Sequence, residues 1–358
     1  MRKITFLFFY FSAIAVNAQT DSSKQKLKLS AYLDMYDTYD FANPGNHTRP
    51  TFLYNYTRTN EVNLNLGYIK ASLVEKNVRA NLAFSAGTYM NANYVNEVGV
   101  MKNVFEANLG VKLSSKKALW IDAGIFPSHI GFESAISKDC WTLTRSILAE
   151  NSPYYESGVR LSYTTSNEKW YLSMLLLNGW QVINRVDGNN ALALGHQVTF
   201  QPSQAVLFNS SSFIGNVYAD SISRMRYFHN FYTVIQFSSK WGITTGFDIG
   251  LQQKHKYSNS LNNWYGYVVI LQWKPTEKNA IGLRVENYND PNNIIIPKGF
   301  NNGFNTFGYS LNYDQSILPN LLWRIEARYL YNSDNYFTNN NMPVNNNVSI
   351  CTALQMSF

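Results

Sequence analysis

Val348-Ser349-Ile350-Cys351-Thr352-Ala353-Leu354-Gln355-Met356-Ser357-Phe358 closes the chain. Read every second residue, Val348, Ile350, Leu354, Met356 and Phe358 form one stripe with Thr352. Ser349, Cys351, Ala353, Gln355 and Ser357 form the other. A period of two is a β-strand with its two faces in different media. The strand ends on an aromatic carboxy-terminus. A soluble sandwich can end this way, but an alternating terminal strand is also how a membrane cylinder closes, so the rest of the chain decides.

The same period recurs from residue 26 onward. Leu27, Leu29, Ala31, Leu33 and Met35 oppose Lys28, Ser30, Tyr32, Asp34 and Tyr36. Val62, Leu64 and Leu66 alternate with Asn63 and Asn65, and Phe105, Ala107, Leu109 and Val111 with Glu106, Asn108 and Gly110. Clean alternation also marks segments around Val78–Phe84, Leu119–Ile125, Val159–Tyr163, Tyr227–Phe237, Trp241–Leu251, Ile281–Val285, Phe307–Tyr313 and Leu321–Tyr329. Residues 168–178, 191–201 and 205–214 split less cleanly, and Trp264–Trp273 is apolar on both faces. With the last segment the chain holds about 16 strands. Short polar links such as Glu75-Lys76-Asn77 and Lys274-Pro275-Thr276-Glu277 alternate with long ones at 39–59, 91–103, 127–154, 179–190, 215–225, 252–263, 288–302 and 332–346.

The amino-terminus is built for export. Arg2 and Lys3 precede an apolar run from Ile4 to Val16, then Val16-Asn17-Ala18 and polar Gln19-Thr20-Asp21. Residues 1–18 therefore read as a signal peptide and 19–25 as a flexible lead-in; the run is too short for a retained spanning helix. Arg2 and Lys3 leave with it, so the formal charge of +7 falls to +5. That excess is dispersed, which argues against a nucleic-acid reader. Hydrophobic residues are 45% of the chain and aromatics 15%, with mean hydropathy −0.25. These values exclude a helical membrane protein and suit half-apolar strands with aromatic girdles.

In hydrocarbon every backbone polar group must find a partner within the protein, so a spanning sheet has to close. The reading is an all-β, transmembrane, antiparallel up-and-down β-barrel over residues 26–358, with long outer loops and short periplasmic turns. The strand at Lys26 pairs with the strand ending at Phe358. Its charged residues sit on the less apolar stripes. An arginine turned to lipid at mid-depth costs up to ~2–4 kcal/mol. Arg79, Arg160, Asp248, Arg284, Glu286, Arg324, Glu326 and Arg328 are thus assigned to the pore lining, facing water in a bore too wide to fill with side chains. Lys70 shares parity with Leu64 and Leu66 and is placed at the periplasmic rim or after a bulge.

The 127–154 connection carries Ile130, Phe132, Trp141 and Leu148, apolar residues out of place in a dangling loop. It is the candidate constriction loop, with Glu133, Asp139 and Arg145 setting the field in the pore; the alternative is a loop packed over the mouth. The ladder of Arg284/Glu286 and Arg324/Glu326/Arg328 either screens solutes by charge or stiffens the wall through cross-strand pairs. Cys140 and Cys351 pair if the loop brings them together, and otherwise remain separate thiols. His47, His129, His196, His229 and His255 lack metal-ligand spacing, and His196 reads as a rim or bulge residue. No cofactor or metal is implied. Neither a Gly-x-Ser-x-Gly elbow nor a phosphate loop appears.

Several motifs in order resemble the family of β-barrel porins described as OmpL-like. They are Ala31-Tyr32-Leu33-Asp34-Met35-Tyr36, Asp122-Ala123-Gly124-Ile125-Phe126 leading to Ile130-Gly131-Phe132-Glu133, Thr144-Arg145-Ser146, Pro153-Tyr154-Tyr155-Glu156-Ser157-Gly158-Val159-Arg160, and Leu177-Asn178-Gly179-Trp180-Gln181. The resemblance covers nearly all of the exported chain. It implies an outer-membrane porin of a Gram-negative bacterium, without a defined substrate or a catalytic residue. The expectation is passive diffusion of small hydrophilic solutes with a weak anion preference. The expected partners are outer-membrane lipid, the solutes, the barrel-assembly machinery at the strand ending in Phe358, and further copies in a homotrimer. Two other readings stay open: a loop-plugged, non-conducting barrel serving adhesion, reception or assembly, and a hydrolase at the rim.

Overall fold

The computed structural model describes residues 27–297, 303–340 and 342–358; the expected signal peptide and lead-in lie outside these described residues. The strands are β1 Leu27–Asp40, β2 Asn63–Val74, β3 Val78–Ala86, β4 Val104–Lys112, β5 Ala118–Pro127, β6 Tyr155–Thr164, β7 Trp170–Leu177, β8 Ala193–Ser203 and β9 Val206–Asn216. They continue as β10 Met225–Gln236, β11 Trp241–Gln253, β12 Leu261–Trp273, β13 Asn279–Asp290, β14 Phe304–Leu318, β15 Leu321–Asn332, β16 Phe337–Asn339, β17 Met342–Val344 and β18 Asn346–Ser357. Two short helices, α1 Thr88–Asn93 and α2 Ile147–Glu150, lie in the connections.

Sixteen of these strands form one closed antiparallel barrel, and β16 and β17 make a separate hairpin in the last long connection. Closure is between β1 and β18, with Tyr32 opposite Ser357 and Asp40 opposite Ser349. The Phe358 amide donates to the Ala31 carbonyl at 2.9 Å. Paired this way, the wall has no open edge.

The alternation sorts side chains as the apolar stripes predict. Leu29, Leu33 and Met35 are exposed on the outer face, while Tyr32, Asp34 and Tyr36 are buried inside. Aromatic pairs mark both ends of the apolar band. Trp241 stacks on Trp273 at 5.6 Å beside short turns, and Tyr39 meets Phe41 edge-on at 5.0 Å at the long-loop end.

The structure corrects the sequence reading at four places. On β2 the register shifts opposite Asp34 and Met35. Asn65 occupies the extra position, donating to Asp34 Oδ2 at 3.1 Å and accepting from the Tyr56 amide at 2.9 Å. Such a bulge inverts every following side chain. Leu66 therefore turns inward rather than to lipid, while Lys70 follows the bulge, one of its two expected placements, and faces the bore. A second shift, between β3 and β4, turns Phe105 inward, where it stacks on Tyr68 at 5.7 Å. His196 is at neither rim nor bulge; it sits within β8 on the outer face, opposite Ser212 of β9. Finally, the bore is not a uniformly wetted tube. Trp264, Val268 and Ile270 on the inner face of β12 are fully buried, because the 127–154 connection folds inside and packs against them. That contact explains why β12 is apolar on both faces.

Candidate functional site: the bore and the loop that crosses it

β5 delivers Pro127 to the long-loop end, and the chain then turns into the barrel. His129 is clamped between Glu156, 2.7 Å from its Nδ1, and the Ser212 carbonyl, 2.8 Å from its Nε2. The Gly131 amide donates to Asn230 Oδ1 at 3.2 Å. Next the loop lies along β11, β12 and β13, where inner-face glycines let it approach the wall. A Cβ on Gly246 would sit 2.7 Å from the Phe132 ring, and one on Gly266 2.9 Å from the Leu148 side chain.

Wall arginines and carboxylates then fasten it. Arg324 is held by Asp314 at 2.7 and 2.8 Å and donates to the Ser137 carbonyl and hydroxyl and to the Cys140 carbonyl. Glu326 accepts from the Thr144 amide and hydroxyl at 2.6 and 2.8 Å. Arg284 donates to Thr142 Oγ1, the Thr144 carbonyl and Glu326 Oε1 at 2.9, 2.7 and 2.6 Å. Glu286 accepts from the Ile147 amide and from Arg328, both at 2.6 Å. Asn312 takes the Leu143 amide at 2.9 Å. Every charge in this cluster has a partner, as buried charges require.

The loop also staples itself. Arg145 donates to the carbonyls of Ser134, Leu143 and Ala135, and Glu133 accepts from the Ser146 amide and hydroxyl. Ser146 caps α2, accepting from the Ala149 amide at 3.3 Å, as serine does at helix starts. At the far end of α2, Glu150 Oε2 accepts from the Tyr54 amide at 2.8 Å, the Asn55 amide at 3.2 Å and Asn55 Nδ2 at 3.1 Å. Glu150 thereby joins the infolded loop to the first long connection, and burial pushes its carboxyl up to about 7.

The eight residues assigned to the lining divide into two groups. Arg284, Glu286, Arg324, Glu326 and Arg328 face inward but are covered by the loop, with at most 2% exposure. Asp248 is likewise buried, accepting from Asn230 Nδ2. Their polar stripe meets loop backbone, not water, because the loop supplies the donors and acceptors that solvent would. Arg79 and Arg160 are different. Their side chains keep 29% and 23% exposure around a buried Asp122. Lys70, missed as a site residue, keeps 27% beside Glu106, its ion-pair partner. Its signal was the break in parity on β2. Between this wall and the loop lies a cavity of about 240 Å³, lined by Tyr68, Lys70, Phe105, Glu106, Phe132 and Glu133 among others.

Among the loop residues, Glu133 and Arg145 are buried, whereas Asp139 is exposed beside Lys138, Lys274 and Lys278 at the short-turn end. The loop thus reaches the full depth of the bore. Cys140 and Cys351 are separate, buried free thiols, not a disulfide.

Comparison with known families places the geometry. The model of the family described as "Putative beta-barrel porin-2, OmpL-like" matches residues 26–358. The chain belongs to this family. Among solved structures, this porin resembles an anion-selective porin from Comamonas acidovorans, at 7% identity and TM-score 0.61, over 93% of this chain and 99% of that one. It resembles the outer-membrane channel DcaP of Acinetobacter baumannii at 9% identity and TM-score 0.62, over 93% and 97%. It also resembles OmpT of Vibrio cholerae, solved in a trimer form, at 8% identity and TM-score 0.56, over 93% and 99%. At such identities the likeness is one of fold. Comparison with curated proteins finds no match. The family and these neighbours are porins and channels, not enzymes.

Proposed function

We propose that this porin lets small hydrophilic solutes diffuse across a Gram-negative outer membrane, with a weak preference for anions. The observation that carries the reading is the asymmetry of the bore. The loop is fastened to the β10–β15 wall by paired charges, while Lys70, Arg79 and Arg160 on the opposite wall remain partly wetted. Their two carboxylate partners, Glu106 and Asp122, are buried. Water reaching that wall meets three partly exposed cationic heads, and ions in an aqueous path respond to such fixed charges. The proposed constriction runs between this wall and loop residues near Glu133; Arg145 and the β13–β15 charges act by holding the loop in place.

Residues 1–18 serve as the export signal and 19–25 as a lead-in, in keeping with a family match that begins at residue 26. The strand ending in Phe358 is the segment offered to the assembly machinery, and the apolar outer stripes meet lipid. Further copies of the chain are the expected partners, by analogy with the trimer form in which OmpT was solved.

The test is planar-bilayer recording of the purified, folded barrel. Steady conductance with a reversal potential on the anion side supports the reading, and a cation-side potential removes the selectivity part. A second reading has its own support: Phe52 of the first long connection packs on Phe304, Tyr336 and Phe337 at 4.9–6.3 Å, roofing part of the loop. A folded barrel that passes no current would establish that plugged, non-conducting alternative.

A further inference from the structure

One buried cation takes no part in fastening the infolded loop. Arg49 lies in the first long connection, which doubles back so that the Arg49 amide donates to the Thr57 carbonyl at 2.9 Å. Its side chain reaches Ser349 on β18, and the residue keeps only 4% exposure. A guanidinium has five N–H donors. Here Nη2 donates to Ser349 Oγ at 3.3 Å, while Nε and Nη1 have no hydrogen-bond partner. Arg284, Arg324 and Arg328 each hold a carboxylate, and Arg145 and Arg226 spend their donors on carbonyl oxygens. Arg49 forms no ion pair with any described residue, and a buried charge left without a counter-charge is costly.

The same side chain lines two cavities at the outer mouth. The larger, about 390 Å³, is bounded by Arg49, Arg58 and the hydroxyl-bearing Thr48, Thr51, Thr57 and Thr88, and no acidic residue among those described lines it. Arg58 is already neutralised, since Glu61 accepts from its Nε and Nη2 at 2.8 and 3.0 Å. The smaller cavity, about 170 Å³, has one carboxylate, Asp40. Asp40 accepts from Asn347 Nδ2 at 2.9 and 3.1 Å and from the Ala42 amide at 2.9 Å, and it makes no ion pair with Arg49. None of Lys70, Arg79 and Arg160 lines either cavity.

We propose that Arg49 is the centre of a binding site for oxyanions, taking a phosphate or carboxylate group carried by a solute that enters from outside. The charge argument is that a buried guanidinium with unspent donors gains most from an anion that also accepts hydrogen bonds. Arginine matches carboxylate and phosphate oxygens in geometry, and those bonds are the strong, charge-assisted kind. The threonine hydroxyls around the larger cavity can donate to the remaining oxygens. Its volume admits a phosphate ester or a small dicarboxylate and excludes a polymer. The inference rests on the diffusion reading and deepens it, from a general anion preference to a class of solute held at the mouth before it passes.

The probe is inorganic phosphate, exchanged for chloride at constant ionic strength. Thermal unfolding of the purified barrel in detergent reads binding without any current. The wild-type midpoint is expected to rise with phosphate, half-saturating on the order of millimolar, and not with chloride. Arg49→Met should weaken that response on the order of tenfold or more. It should also raise the midpoint in phosphate-free buffer, because an unpaired buried charge is gone. Arg49→Lys should fold as wild type and keep part of the response. In planar bilayers, phosphate on the outer side should reduce the chloride current of wild type and not that of Arg49→Met. A wild-type midpoint that ignores phosphate, a rise that chloride reproduces, or a methionine variant that responds like wild type overturns the assignment. So does a methionine variant destabilised equally with and without phosphate, which would make Arg49 a purely structural group. Phosphate binding to a barrel that passes no current removes the diffusion reading and leaves the site; current without a phosphate response does the reverse.

Discussion

Replacing Arg324 by leucine should loosen the deep end of the infolded loop without opening the barrel. Arg324 is fully buried and places three donors on the loop, at the Ser137 carbonyl, the Ser137 hydroxyl and the Cys140 carbonyl. Bonds from a charged donor contribute ~1.5–3 kcal/mol each in favourable settings. Leucine restores some apolar contact, and Asp314, 12% exposed at its side chain, can take water and keeps its bond from Asn312 Nδ2 at 2.8 Å. A net loss of about 3 kcal/mol in docking of the 134–143 segment is reasonable. That raises its undocked fraction by about two powers of ten. Asn312, Glu326 and Glu286 still hold the loop further along, so the effect is confined to the tip. Single-channel recording should show larger conductance or new flicker, with heat-modifiable migration and sheet content as in wild type. A folded variant with identical conductance and noise would refute the reasoning, because the tip would then not border the path.

Substituting Lys70, Arg79 and Arg160 together by glutamine should move the reversal potential in a salt gradient toward cations, while the matched change of buried Arg284 should act on loop order rather than selectivity. Glu150 gives a pH effect. Its folded value of about 7 lies above that of an ordinary carboxyl, so the folded protein holds a proton that the unfolded chain releases first. Stability from this group is full below about 4.5 and is lost as pH rises through about 7, by about 3 kcal/mol at most. Oε2 carries the three close contacts, so a proton on Oε1 leaves them in place. Urea midpoints between pH 5 and 8 should therefore fall in wild type and flatten in Glu150→Gln. Gly250→Ala should lower the unfolding midpoint, since its Cβ would meet the Trp264 ring at 1.9 Å, an overpacking of ~1–3 kcal/mol.

Strand periodicity alone was enough to specify the barrel. Alternation from Leu27 to Phe358, and long links alternating with short, admit few other solutions, because lipid outside and polar groups inside impose a period of two on every strand. It also placed the inward charges, since an arginine facing hydrocarbon is too costly to be ambiguous. What it could not supply were effects that depend on which residues meet across the bore. The parity of Lys70 hinted at a bulge, but its position at Asn65 and the ion pair it gives Lys70 with Glu106 appear only when β1 is laid beside β2. The apolar inner face of β12 was visible as an anomaly, but its cause is the loop lying against it, a contact that the glycines at 246 and 266 allow. Likewise Arg284, Arg324 and Arg328 read as water-lining residues until Thr144, Ser137 and Glu286 are brought to them. Strand periodicity is local and follows from the solvent on each side, whereas the loop's path is fixed by contacts between residues 83 to 187 positions apart, and only the closed barrel brings those together.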